Sequence, residues 1–173
     1  MNIKNMTIKE RGELAGSSTI SENVLWELSK DISPVVRAEV AKNPNTSDDI
    51  LWELSKDINW EVRSDVAYNP ITPDDILRKL SLDKDSDVKR AVAYQSDHLE
   101  DVLRKLATDK DRWVREAVAI NPNVSSKILV RLFEYEKNLG VPNFDIIRGL
   151  YKHKNLPAFA KRVIETLFGK ILM

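Results

Sequence analysis

The sequence predicts an all-α fold, a solenoid of about five 26-residue, two-helix repeats closed by capping ends, and three observations predict it. Leu25, Leu51, Leu77, Leu103 and Leu129 stand 26 residues apart, and Leu28, Leu54, Leu80, Leu106 and Leu132 follow each by three. Val36-Arg37, Val62-Arg63, Val88-Lys89 and Val114-Arg115 run in step with them, as do Asn43-Pro44, Asn69-Pro70, Gln95-Ser96 and Asn121-Pro122. Apolar residues inside each unit fall at helical spacing. A self-similar period in the range of about 20–50 residues marks an array in which each unit buries its apolar face only against its neighbours.

The elements follow in order within one domain, 1–173. Glu10 to Ala15 line up with Val36 to Ala41, so residues 1–18 read as a polar half-repeat that caps the array. Residues 19–135 hold the regular repeats, and residues 46–70 show how one is built. Thr46 suits a helix start, its hydroxyl accepting a first-turn N–H, while Asp48 and Asp49 oppose the positive end of the dipole. One repeat later Thr72 precedes Pro73, the residue best suited to the first helical position. Ile50, Leu51 and Leu54 form the inward stripe of a first helix running to Lys56.

Asp57-Ile58-Asn59 then breaks the chain. Ser33, Asn59, Asp85 and Asp111 share one position of the repeat and all are good N-caps, and Pro34 supports a start after Ser33. The second helix turns Val62, Val66 and Ala67 inward. It ends near Tyr68, because Asn69 precedes a proline and is pushed out of the α region. No L-x-L strand recurs with the period, which disfavours a β-horseshoe.

After Leu132 the register slips, and residues 136–173 read as a degenerate repeat with a C-terminal capping helix. Gly140-Val141-Pro142-Asn143 lengthens the connection, and Ile146, Ile147 and Leu150 resume a second helix. A last helix from Pro157 to Leu172 sets Phe159, Val163, Leu167 and Ile171 on one side, which the pattern expects to cover the end of the core.

Asn45-Thr46, Ile50-Leu51, Leu54, Asp57, Val62-Arg63, Val66-Ala67 and Asn69-Pro70 together resemble the leucine-rich repeat variant family, within the HEAT and armadillo-like helical solenoids. The resemblance covers roughly residues 10–135. It implies a right-handed superhelix of alternating α and shorter, sometimes 3₁₀, helices, leaving open which kind the second helix is. It also implies binding or scaffolding and brings no catalytic residues. Some members carry a cysteine-bound iron–sulfur module, which a chain with no cysteine does not share.

Composition narrows the chemistry. Lys and Arg number 27, as do Asp and Glu. Residues 45–70 carry two basic and six acidic side chains, and residues 123–173 nine basic and four acidic. The absence of cysteine excludes disulfides, thiol catalysis and cysteine zinc sites. No apolar leader and no apolar run of membrane-spanning length is present, so the expectation is a cytoplasmic protein without a membrane partner. His98 and His153 lie in different repeats, and five glycines leave little room for a phosphate loop. No catalytic, metal or cofactor residue is predicted, and no enzyme.

Residues that recur have a structural explanation. Asp31, Asp57, Asp83 and Asp109, with Arg37, Arg63, Lys89 and Arg115, are expected to bridge turns and neighbouring repeats through charge-assisted hydrogen bonds. Residues that vary at fixed positions are candidates for recognition. Columns of the second helix read Lys42, Tyr68, Tyr94, Ile120; Ala38, Ser64, Arg90, Glu116; and Val35, Glu61, Asp87, Trp113. By analogy with related solenoids this helix lines a concave face, so Tyr68, Tyr94, Trp113, Arg90 and Glu61 are the candidate partner contacts. Trp26 and Trp52, part-exposed, either cover turns between repeats or form a self-association patch. The fourth turn, Gln95-Ser96-Asp97-His98, departs from the Asn-Pro pattern.

The expected function is non-enzymatic binding of a protein or peptide. The alternative is nucleic-acid binding in the manner of the HEAT-like alkylpurine DNA glycosylases. That needs a basic groove; Glu61, Asp65 and Asp87 oppose it, while Lys152, Lys154, Lys161, Arg162 and Lys170 keep it open. A small partner of one cognate protein, of the immunity type, is a third reading.

Overall fold

Two helices per repeat is what the chain forms, and in both positions they are α-helices. The structure is a computed structural model describing residues 3–96 and 98–172, with residues 170–172 described by backbone alone. The readings placed on Asp97 and on the side chains of Lys170 and Ile171 fall outside it. A 3₁₀ turn at Ile3–Asn5 leads into the helices, and the described residues hold twelve of these and no strand. They divide into two compact units, Met1–Gln95 and Ser96–Met173. The first contains α1 (Ile8–Ala15), α2 (Glu22–Leu28), α3 (Pro34–Lys42), α4 (Asp48–Leu54), α5 (Trp60–Tyr68), α6 (Asp74–Leu80) and α7 (Ser86–Gln95). The second contains α8 (Glu100–Leu106), α9 (Arg112–Ile120), α10 (Ser126–Lys137), α11 (Phe144–Lys152) and α12 (Ala158–Leu172).

The second helices start where their caps place them. Asn59 Oδ1 accepts from Glu61 N at 2.7 Å and Val62 N at 3.3 Å, and Asp111 Oδ1 accepts from Trp113 N at 2.8 Å. Asp85 Oδ1 takes the N–H of Asp87 at 3.0 Å. Ser33 holds the cap position of α3 without a side-chain bond, and Pro34 follows it at the first helical position. Helix α5 ends at Tyr68, as the proline two residues on requires.

The first helices start differently from the expectation. Ser47 holds the N-cap of α4, while Thr46 is fully buried and its Oγ1 donates to Val40 O at 2.6 Å. Thr72 Oγ1 donates to Val66 O in the same way at 2.5 Å. Each threonine therefore binds a carbonyl in the last turn of the preceding second helix, not a donor at the start of the next. Pro73 sits at the N-cap of α6, one residue before the first helical position. Helix α4 stops at Leu54, short of Lys56, and Ser55 Oγ donates back to Trp52 O at 2.7 Å.

The leucine and valine ladders form the core. All ten repeat leucines are at most 3 % exposed, and Val36, Val62, Val88 and Val114 are fully buried. Burying one such side chain stabilises by about 1.5–3 kcal/mol. In the first unit α1, α3, α5 and α7 stack side by side, and α2, α4 and α6 each pack on the second helix of their own repeat. In the second unit α8 lies on α9 and α10, α9 on α11, and α11 on α12.

An asparagine spine ties the turns together. Asn43 Nδ2 donates to Ala15 O at 2.5 Å and Ser17 O at 3.0 Å. Asn69 Nδ2 repeats this on Ala41 O at 2.7 Å and Asn43 O at 3.0 Å. At each of these Asn-Pro breaks the asparagine side chain thus satisfies two carbonyls of the preceding repeat.

At the C-terminal end, Asn143 caps α11 and Ile146, Ile147 and Leu150 are buried, as the pattern anticipates. Helix α12 corrects it. Phe159, Val163 and Leu167 are 55 %, 38 % and 53 % exposed, whereas Ala160 and Ile164 face inward and are almost fully buried. The reason is phase. His153 occupies the place of Asn121, its Nε2 lying 2.9 Å from Asn121 O. Counting from it sets Ala160 and Ile164 at the places of Ile128 and Leu132.

Candidate functional site

The Arg–Asp ladder spans repeats and lies outside the variable surface. Arg37 Nε and Nη2 meet Asp57 at 2.5 and 2.8 Å, and Arg11 Nε meets Asp31 at 2.5 Å. Each aspartate also accepts an N–H of its own turn: Asp31 from Ser33 and Asp57 from Asn59, both at 2.8 Å. In the second unit Arg115 Nε meets Glu136 Oε1 at 2.5 Å, and Glu136 is fully buried. A glutamate one position further along takes the acidic role where the register slips.

The variable columns open onto one surface in the first unit. A groove of about 370 Å³ runs between α3 and α5. Its first turns present Val35 and Trp60, 59 % and 41 % exposed. Ala38 and Ser64, each 8 % exposed, form its floor. Glu39, Lys42, Glu61 and Asp65 line the remainder. Lys42 Nζ lies 3.0 Å from Glu39 Oε1 and 3.4 Å from Asp65 Oδ2. Burial pushes the Asp65 carboxyl above its ordinary value; Lys42 opposes this, and the charges of Glu39 and Glu61 add to it. Burial works against the Lys42 charge, but Glu39 and Asp65 hold its pKa above the usual lysine value.

Beyond the groove Tyr68 and Tyr94 stack, with ring centroids 6.2 Å apart and planes 23° from parallel. Each is about two-fifths exposed, at 40 % and 41 %. Burial raises the Tyr68 hydroxyl above its ordinary pKa, against the opposing charge of Arg90. Arg90 Nη2 lies 2.7 Å from Asp87 Oδ1. Of the five candidate contacts, Tyr68, Tyr94 and Arg90 are brought together, and Glu61 lies two turns before Tyr68 on α5. Trp113 belongs to the second unit, where it is 47 % exposed with the Arg112 guanidinium 4.2 Å above its ring.

Trp26 and Trp52 are half-covered by lysines, Lys30 lying 4.3 Å from the ring of Trp26 and Lys79 of the next repeat 4.6 Å from that of Trp52. Trp60 is not marked out by the repeat pattern. Its column, Pro34, Trp60, Ser86 and Arg112, opens the second helices and reads as cap-adjacent. The usable signal was a lone tryptophan where capping needs none.

Among the described residues no group of three or more His, Asp or Glu is placed to hold a metal ion. No helix among them is long and apolar enough to cross a membrane. No protein-family model, curated protein or solved structure matches the chain.

Proposed function

We propose that the chain is a non-enzymatic helical-repeat binding protein of the leucine-rich repeat variant kind, holding a protein or peptide on the face made by its second helices. The observation that carries this is the half-exposed Tyr68–Tyr94 stack beside Arg90. All three stand at positions the repeat leaves free to vary. Aromatic rings and arginine are the usual anchors of interfaces, and a ring held by a neighbour loses little further freedom on binding.

Two features support the wider architecture. In the first unit the second helices α1, α3, α5 and α7 stack directly on one another. In that unit they offer one continuous face suited to a long ligand. Lys42 and Arg90 on this face are each paired with carboxylates, so they offer phosphates little.

The test is capture of a partner from the native host by wild-type protein and by the Tyr68→Ala/Tyr94→Ala variant, with captured species crosslinked and mapped. Crosslinks on α3, α5 and α7, and recovery reduced about tenfold or more in the variant, are the expected result. Equal recovery by a variant with unchanged helicity overturns the reading.

A further inference from the structure

We propose that the groove between α3 and α5 is a subsite for an arginine side chain of the bound polypeptide. This rests on the peptide-binding reading and names what the peptide must carry.

The tryptophans give the first argument. The chain has four. Three carry a cation of the chain itself over the ring: Lys30 on Trp26, Lys56 and Lys79 on Trp52, and Arg112 on Trp113. Trp60, the one that lines the groove, carries none among the described residues, yet it is 41 % exposed. An open indole face beside carboxylates attracts a cation from another molecule through both the ring and the charges.

Unspent polar groups give the second. Glu61 has no ion-pair partner among the described residues, while Glu39 and Asp65 share the single Lys42. Three carboxylates against one ammonium leave the groove short of positive charge. Ser64 is more than nine-tenths buried in its floor, and its hydroxyl makes no hydrogen bond to the described residues. The hydroxyl is therefore free to take a partner from the open side of the groove.

Shape selects the cation. The small side chains of Ala38 and Ser64 leave a slot, with Val35 and Trp60 as its apolar flanks. A guanidinium is flat, stacks on an indole and presents several N–H donors in one plane, so one group serves the ring, the Glu61 carboxylate and the Ser64 hydroxyl together. An ammonium supplies the charge without the plane. A bare metal ion is disfavoured, since the carboxylates are not placed to share one.

The probes are three short capped peptides, Gly-Arg-Gly, Gly-Lys-Gly and the citrulline analogue, titrated into the full chain and followed by NMR. The arginine peptide should move the Trp60 indole N–H and the Ser64 and Ala38 amides saturably. The lysine peptide should bind more weakly and the citrulline peptide should leave these signals in place. Trp60→Ala and Glu61→Gln, both at exposed positions, should each weaken arginine binding about tenfold with helicity unchanged. Equal binding of all three peptides, of lysine and arginine peptides, or by Glu61→Gln and wild type overturns the assignment. If the arginine peptide fails while Tyr68→Ala/Tyr94→Ala still abolishes partner capture, the subsite alone is wrong. If the groove binds arginine while the tyrosine variant captures normally, the tyrosine anchor is wrong and the subsite stands.

Discussion

Arg63 grips Asp83 of the following repeat with two parallel hydrogen bonds, Nε to Oδ2 at 2.7 Å and Nη2 to Oδ1 at 2.9 Å. Its third arm, Nη1, donates to Asp57 O at 2.8 Å and Ile58 O at 3.2 Å. One guanidinium thus holds the turn of its own repeat and the carboxylate of the next. Both side chains are at least nine-tenths buried.

Arg63→Ala therefore takes the arginine's donors from a buried carboxylate and two carbonyls, and should lower stability by about 3–5 kcal/mol in urea denaturation. Arg63→Lys keeps the charge but not the fork, and should recover only part of the loss. A stability within about 0.5 kcal/mol of wild type for Arg63→Ala would show that the ladder does not join the repeats.

Acid should unfasten the same ladder. Burial pushes Asp31, Asp57 and Asp83 upward, but the arginine hydrogen bonds and the turn N–H groups outweigh it, and all three end below the ordinary carboxyl value of 3.8. A depressed acid contributes stability that is complete above its unfolded value and lost as pH falls through its folded one. From these groups, the urea midpoint should hold down to about pH 4 and fall below it. Asp83→Asn should be less stable at neutral pH and show a shallower acid slope.

Asp65 has the opposite sign. Its raised pKa means that the ionised form disfavours the folded state above that pKa, a penalty absent below the unfolded value. Asp65→Asn should therefore raise the melting temperature at pH 7, and the gain should vanish below about pH 4. Lys42 keeps Glu39 as a partner in the variant. A carboxylate retained at a cost in stability is expected where it serves binding. No gain at pH 7 would remove that argument.

What the sequence reveals here depends on recurrence. Leu54 or Val62 is legible as core because the same residue returns at the same place, and Arg63 with Asp83 is legible because both ladders keep one period. Thr46 is ambiguous in sequence because a hydroxyl before a helix has two uses, capping forward or closing the helix behind, and only the chain path chooses. The outward phase of Phe159 and Val163 is not legible, because the longer turn near Gly140 shifts the spacing of corresponding residues from 26 to 32, leaving no register to count in. Tyr68 and Tyr94 were found as exceptions within a column. Trp60 stands in a column with no pattern to depart from.

His153 shows a lost asparagine being replaced in function. Its Nδ1 accepts the N–H of Asn155 at 3.1 Å, as Asn43 Oδ1 accepts from Asn45 N at 2.9 Å. The other nitrogen must then donate to Asn121 O, so the ring is the Nε2–H tautomer. Nitrogen-15 chemical shifts of the imidazole should show that tautomer, and the Nδ1–H form would contradict the assignment. His153→Asn should fold with a small loss, whereas His153→Phe should cost about 1–3 kcal/mol for the unmet groups.

The phase of α12 is open to the same kind of trial, because its two apolar stripes make opposite predictions. If Ile164 fills the inner face, Ile164→Ala opens a cavity and should cost about 2–5 kcal/mol. Phe159→Ser and Val163→Ser touch the outer stripe and should change stability by no more than about 0.5 kcal/mol each. A chain whose last helix used the larger residues as its inward face would give the reverse order. Urea denaturation of the three variants separates the two arrangements without reference to any partner.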